Sequence, residues 1–333
     1  MNISELSAMS DNRHEQVPLS DLTNLRIRIY VIGYSSRGES IIVLFMDRKN
    51  VIYSLVIDCC SYQKTNKTFE ILNHYGLDKQ KLNMLCWSHP DQDHTLRMND
   101  LITFYCNNHT KILTPLGIVN SNFIVIDRNK GDDIIFSLIR RLNNSRKYVQ
   151  KTVSVDDGHE KPYGFWLLTS DDEFEVEINA LSPMDSYVNH FISNKKTTKK
   201  NHVSIVLQLK MPGDYSFLFC SDAEDEILDC IQEEPFVDPL FVKIPHHGSN
   251  SSEGIFDILD TPSNNTLGCV TRFKGKSLPV SATMAKYVDA MSRVDYTDQK
   301  TIKANYGVIE YVVDLYDQKT ININHEGRAG KYE

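Results

Sequence analysis

Nowhere in this chain of 333 residues does an apolar run approach the ~18 residues that span a bilayer, so no membrane segment is expected. The first residues, MNISELSAMSDNRHEQVPLSD, lack the basic start and apolar block of a signal peptide, which points to a soluble, cytoplasmic protein. Cysteine is present but unpatterned. The seven residues (Cys59, Cys60, Cys86, Cys106, Cys220, Cys230, Cys269) are odd in number, show no CxxC spacing and sit mostly in apolar runs, as reduced buried thiols do. Positive charge is also short: 36 Lys and Arg against 44 Asp and Glu leave a net charge of −8. That argues against a general polyanion-coating protein while leaving room for a local basic groove. Neither a G-x-S-x-G elbow nor a P-loop occurs, which removes serine-hydrolase and nucleoside-triphosphatase readings.

What is there is an ordered series of strand-like runs. LRIRIYVIG (25–33), ESIIVLF (39–45) and VIYSLVIDCC (51–60) succeed one another across turn-forming segments. A helix at 67–76 ends on Gly76, and LNMLCWS (82–88) is a strand that runs into a polar stretch, with a helix at 96–106 and a strand at 111–115 beyond it. Residues 117–200 are less regular, with a helix expected at 132–143 and a strand at 173–183. Alternation resumes with strands at 203–209, 215–222, 239–249, 266–273, 307–315 and 319–324, and helices at 223–232, 253–260 and 280–292. The expected organisation is a flexible leader (1–23), one α/β sandwich domain (24–325) with an elaborated middle at about 117–200, and a short tail (326–333).

Three polar clusters each come after an apolar strand. The first is His89-Pro-Asp91-Gln-Asp93-His94, the second Asp222 after YSFLFCS, the third His246-His247-Gly-Ser249 after PLFVKIP. Strand ends converge on one edge of a sheet in layered α/β folds, so these clusters are expected to meet. Carboxylates and imidazoles crowded together resist burial unless a cation holds them, which makes a metal site the natural explanation. In an extended backbone residues 89 and 91 point the same way, while Asp93 and His94 fall where the chain turns into a helix and face a second centre.

This ordered set resembles the metallo-β-lactamase superfamily of dinuclear hydrolases, and more closely the branch with HPxxDH, a bridging Asp and HHGS, which includes the hydrolase domain of DNA-uptake competence channels and phosphorylcholine esterases. The resemblance covers about residues 25–325, including the strand–glycine loop–strand entry VIGYSSRGESIIV…VIDCC. It implies an αββα sandwich with two mixed sheets between helices and two divalent ions, zinc first and manganese as the rival. His89 and Asp91 would bind one ion, Asp93 and His94 the other, and Asp222 would bridge them. Of the HHGS pair, His247 is taken as the ligand of the second ion and His246 as a catalytic contact to substrate phosphate or a residue behind the ligands, with the reverse assignment open. Ser249 and Asp58 are taken as residues behind the ligands, Asp58 alternatively as the cap of a turn. The wider superfamily places a histidine ligand just before the strand that leads to the bridging Asp, where this chain has Asn201-His202: His202 is the candidate ligand, and Asn201 a stand-in for it or a residue behind the ligands. The implied activity is hydrolysis of a phosphodiester, in a nucleic acid or nucleotide, with Asp93 and His246 as catalytic residues. Hydrolysis of a lactone, thioester or amide, and a regulatory subunit of a larger assembly with a partner protein, stay open. The chain departs from the family at Ser221 (usually Gly), at Arg97 and Met98 (usually two glycines) and at Leu278 (often His).

Other candidates have plainer readings. His14, His74, His109, His159, His190 and His325 read as surface or packing residues. The run Lys195, Lys196, Lys199, Lys200 and the patch Arg140, Arg141, Arg146, Lys147 read first as solvated faces; the lysine run, just upstream of a site strand, is also placed to steer phosphate.

Overall fold

The computed structural model describes residues 15–18, 24–116, 118, 132–144, 149–153, 163–168, 173–194, 199–211, 215–231, 239–259, 265–317 and 319–333. In chain order its strands are β1 (Glu15–Pro18), β2 (Leu25–Tyr34), β3 (Glu39–Asp47), β4 (Asn50–Ile57), β5 (Met84–Cys86), β6 (Lys111–Pro115), β7 (Val149–Val153), β8 (Phe165–Leu168) and β9 (Glu173–Ala180). They continue as β10 (Leu207–Met211), β11 (Tyr215–Phe219), β12 (Phe241–Lys243), β13 (Leu267–Val270), β14 (Arg293–Tyr296), β15 (Tyr306–Asp314), β16 (Lys319–Gly327) and β17 (Gly330–Lys331).

These strands form two mixed sheets, ordered β16-β15-β2-β3-β4-β5-β6-β7 and β1-β8-β9-β10-β11-β12-β13-β14-β17. Side-chain alternation determines how they stack. Ile27, Ile29 and Val31 of β2 join Phe165, Leu207 and Phe217 of the second sheet in one apolar core. The intervening Tyr30, Ile32 and Tyr34 face the opposite way, onto Leu72, Leu101 and Leu138 of the helices Lys67–His74, Met98–Tyr105 and Asp133–Asn144. The outer face of the second sheet is covered by Ile227, Ile255 and Tyr287 from the helices Asp225–Leu228, Ile255–Ile258 and Ser281–Ala290. Central strands such as β3 are therefore buried on both faces and read as unbroken apolar runs. The result is an α/β sandwich, two sheets flanked by helices. Among the described residues no helix is long and apolar enough to cross a membrane.

Each sheet repeats one pairing order. In the first, β2, β3 and β4 are antiparallel neighbours and β5, β6 and β7 then add in parallel. In the second, β9, β10 and β11 are antiparallel and β12, β13 and β14 add in parallel. The switch from antiparallel to parallel falls after β4 and after β11. The three polar clusters lie just beyond β5, β11 and β12, and Asp58 just beyond β4.

The two chain ends depart from the sequence expectation. Within the segment taken as a leader, Glu15–Pro18 pairs in parallel with β8 and buries Val17 in the inter-sheet core. Four residues ending in proline are too few to show a period. The tail also contributes: β16 runs to Gly327, and Gly330–Lys331 pairs with β14. Within 117–200, the expected helix appears as Asp133–Asn144 and the expected strand as β9. The residues Arg146, Lys147, His14, His159, Lys195 and Lys196 lie outside those described.

Candidate metal centre

The strands that lead to the polar clusters end early, and the site is built from the loops and short turns beyond their C-terminal ends. β4 ends at Ile57 and is succeeded by Asp58; β5 ends at Cys86, shortly before Ser88 and His89. Asp93 and His94 lie on a single helical turn, Gln92–Thr95, clasped by Cys59, whose N–H donates to the His94 carbonyl. From the second sheet come Asp222 after β11, His246 and His247 after β12, and Thr271 after β13. Several of these positions need unusual backbone: Asp58 (φ 59°), Ser221 (φ 50°), His246 (φ 43°) and His247 (φ 52°) are all left-handed. Such conformations cost about 1–3 kcal/mol each and persist where surrounding packing imposes them, typically at functional sites. Gly38 is required for closeness too: at φ +108° its missing Cβ would stand 2.3 Å from Cys60 Sγ.

Five buried atoms that lack any hydrogen-bond partner meet here: His89 Nε2, Asp93 Oδ2, His94 Nε2, Asp222 Oδ1 and His247 Nε2. Their separations are alike. His247 Nε2 is 3.4 Å from Asp93 Oδ2 and 3.5 Å from Asp222 Oδ1, and His94 Nε2 is 3.5 Å from Asp222 Oδ1 and 4.0 Å from Asp93 Oδ2. His89 Nε2 stands 3.9 Å from the other Asp222 oxygen. These distances are too long for good hydrogen bonds. They suit donors gathered round a cation, since tetrahedral ligands at 2.0–2.2 Å stand about 3.4 Å from one another.

The opposite nitrogen of each ring explains the orientation. Asp58 Oδ2 accepts from His94 Nδ1 at 2.7 Å and from the Ser88 hydroxyl at 2.5 Å, while Asp58 Oδ1 accepts from Ser88 N at 2.8 Å. The Ser221 hydroxyl donates to Ser88 Oγ at 2.7 Å. Both serine protons are thus committed, so His89 Nδ1, 3.0 Å from Ser88 Oγ and 3.2 Å from Ser221 Oγ, is the donor to them. Thr271 donates to Glu39 Oε2 at 2.5 Å, which makes His247 Nδ1, 2.8 Å away, the donor to Thr271. All three imidazoles therefore carry Nδ1–H and turn Nε2 inward, as metal-binding histidines do.

The charges agree. Burial opposes ionisation of Asp222, yet His247 and His94 hold its carboxyl well below the usual range. Asp93 likewise resists burial and is drawn down to about 2 by His247 and His94. Burial works against charging His94, but Asp222 and Asp58 keep it raised well above its ordinary value; His247 is raised to about 9, against burial, mainly by Asp222. Burial pushes His89 down. Two of the three imidazoles, His94 and His247, are thus drawn toward the charged form by the carboxylates, and His89 toward the neutral one.

Not every expected ligand is in this cluster. Asp91 is half-exposed; its carboxylate caps the N–H of Gln92 at 2.7 Å and stands 3.6 Å from Lys200 Nζ. His246 lies beside the cluster: Nε2 is 3.4 Å from both Asn201 Nδ2 and Lys276 Nζ, and Nδ1 is 3.1 Å from Ser251 Oγ. The Ser249 hydroxyl meets Ser251 Oγ at 3.0 Å, and the Ser249 N–H donates to the His246 carbonyl at 3.0 Å. His202 belongs to a separate group with Glu224 and Glu226, with Nδ1 2.9 Å from the Tyr187 hydroxyl. Asn201 donates to Glu224 at 3.1 Å. Lys199 and Lys200 pair with Glu224 (3.1 Å) and Asp132 (2.8 Å).

Sequence reasoning missed Glu39, Ser88, Lys243 and Thr271. Glu39, His94 and His247 offer ligand atoms within 4.8 Å of one another, as do Asp58, His89 and His94. Glu39 and Lys243 could have been noticed as charged residues within strand-like apolar runs, ESIIVLF and PLFVKIP. Ser88 and Thr271 carry no such signal. Ser221, noted as a departure, occupies the left-handed backbone that glycine would favour and uses its hydroxyl in the chain behind His89. No protein-family model matches the chain, and no curated protein matches it.

Proposed function

We propose that this protein is a metal-dependent phosphodiesterase with a metallo-β-lactamase type of fold and site. The observation that carries this reading is the gathering of four buried, unpartnered donor atoms from both sheets, with His94 and His247 Nε2 each 3.4–4.0 Å from Asp93 Oδ2 and Asp222 Oδ1, and of a fifth, His89 Nε2, beside the other Asp222 oxygen. Asp93, His94, Asp222 and His247 would hold one divalent ion, zinc before manganese given three histidines among the five donors. His89 and Asp222 Oδ2 would begin a second site, with Asp91 the nearest further carboxylate on the chain. A divalent cation held there would supply Lewis acidity for hydrolysis of a phosphodiester.

The chain's own residues do the rest. Asp58, Ser88 and Ser221 keep two imidazoles from rotating, and Asp222 shares its two oxygens between the His94–His247 side and the His89 side. His246 and Lys276 stand next to this point as contacts for an anionic substrate. Lys276 is exposed, with Nζ 3.4 Å from His246 Nε2 and 5.6 Å from the centre of the Phe273 ring. In a protein of net charge −8, an ammonium beside His246 favours a phosphodiester over a lactone or amide.

The test is a substrate panel with purified protein and added zinc or manganese: bis-p-nitrophenyl phosphate, a dinucleotide, single-stranded DNA, an acyl lactone and a thioester. Metal-dependent cleavage of a phosphodiester, lost in Asp93→Ala, is expected. Turnover confined to the lactone or thioester, or an Asp93→Ala variant as active as wild type, would overturn the reading.

A further inference from the structure

Lys243 is fully buried at the end of β12, an uncommon fate for lysine. Its Nζ lies 2.9 Å from Glu39 Oε2 and 2.9 Å from the Ile244 carbonyl. Glu39, at the start of β3 on the other sheet, is equally buried. A buried ion pair is weak evidence of stabilisation, because desolvating both charges costs about what their attraction returns. This pair has another neighbour. The oxygen that meets Lys243 also accepts the Thr271 hydroxyl, and Thr271 accepts from His247 Nδ1, giving one continuous line Lys243–Glu39–Thr271–His247.

The two imidazoles that face Asp222 Oδ1 are thus backed differently. Asp58 touches His94 directly, and among the described residues no lysine or arginine lies within ion-pair distance of it. Glu39 Oε2 stands 3.8 Å from His247 Nδ1, too far for a direct hydrogen bond, so its hydrogen-bonded route to the ring runs through the Thr271 hydroxyl, and it carries its own cation. Direct carboxylate contact raises a ligand's basicity, whereas a neutralised carboxylate behind a hydroxyl fixes orientation and adds little charge.

We infer that Thr271 and Glu39 are positioning residues for His247, and that Lys243 neutralises the charge of Glu39 behind them. Thr271 sets its tautomer, Glu39 holds the Thr271 proton away from the ring, and Lys243 keeps the charge of Glu39 off the bound cation. The inference rests on the metal-centre reading above. It makes two substitutions act in opposite directions: loss of the Thr271 hydroxyl frees His247 to rotate or change tautomer, and loss of the Lys243 ammonium removes a positive charge near a cation.

The experiment uses the full chain as wild type, Thr271→Val, Thr271→Ser and Lys243→Met. Zinc affinity is measured by competition with a chromogenic chelator, and the visible spectrum of the cobalt-loaded protein reports ligand geometry. Thr271→Val should weaken zinc binding about 10- to 100-fold and alter the cobalt spectrum, as loss of a ligand's supporting partner does. Thr271→Ser keeps the hydroxyl and should restore both, and Lys243→Met should bind zinc no more weakly than wild type. Thr271→Val with wild-type affinity and spectrum, or Lys243→Met weakened as much as Thr271→Val, would overturn the relay. If Lys243→Met does not fold, the valine–serine comparison decides alone. A wild type that takes up neither zinc nor cobalt is a different result: it removes the metal centre itself.

Discussion

Replacing Asp58 by asparagine isolates the contribution of one buried carboxylate to the centre. The substitution is nearly isosteric, and asparagine is among the few residues that accept a left-handed backbone, so the φ of 59° at this position is no obstacle. Oδ1 can still accept from Ser88 N at 2.8 Å. The amide –NH2 then takes the place of Oδ2, 2.7 Å from His94 Nδ1 and 2.5 Å from Ser88 Oγ. Two donors cannot face each other, so His94 must give up its Nδ1 proton, and its neutral form then carries the proton on Nε2, where it points at Asp93 and Asp222. Binding a cation requires the unfavourable tautomer. Loss of such a partner lowers metal affinity about 10- to 100-fold, equivalent to roughly 1.4–2.7 kcal/mol. Chelator competition for zinc near pH 7.5 measures the loss, and circular dichroism checks that the fold is kept. An Asp58→Asn protein that is folded and binds zinc within about twofold of wild type would refute the argument that this carboxylate fixes His94.

The same geometry yields further expected outcomes. Zinc content measured by plasma mass spectrometry should fall clearly in Asp222→Ala, because that residue offers one oxygen toward His94 and His247 and the other toward His89. In chelator, His247 ionises at about 9 in the fold against an ordinary 6.5, so the folded chain keeps a proton that the unfolded chain loses. The stability this contributes is complete below pH 6.5 and disappears as pH rises to about 9, on the order of 3 kcal/mol. The metal-free melting temperature should fall over that interval while the stabilisation gained from added zinc grows; a metal-free melting temperature that is flat from 6.5 to 9 would contradict it. Away from the site, Phe165 is fully buried and stacks on Tyr53 with centroids 3.8 Å apart, joining the two sheets. Phe165→Ala should cost about 3–5 kcal/mol in denaturant unfolding with zinc stoichiometry unchanged.

The residue types and order of the candidate donors were legible in the sequence. HPDQDH, Asp222 and HHGS are clusters placed after apolar runs, and a buried strand ending in charge is a pattern that local reading detects. The layered α/β class came from the same alternation. Most helix and strand positions did too, since β2, β3 and the helix Ser281–Ala290 depend on periods that neighbouring residues carry.

Tertiary structure alone decided which donors share one point. Asp91 has the same local surroundings as Asp93, yet at the start of a helical turn it caps a backbone N–H while Asp93, two residues on, faces inward. His202 precedes a site strand as expected, but its ring points to Tyr187, Glu224 and Glu226. Short edge strands at Glu15–Pro18 and Gly330–Lys331 exist because a sheet edge was there to pair with, which no four-residue pattern announces. The line Lys243–Glu39–Thr271 joins β12, β3 and the segment just after β13, from two sheets, and the positions of its members in sequence have no relation to one another. A buried charge is stable only when its partner is in place, and that partner is chosen by how the sheets stack.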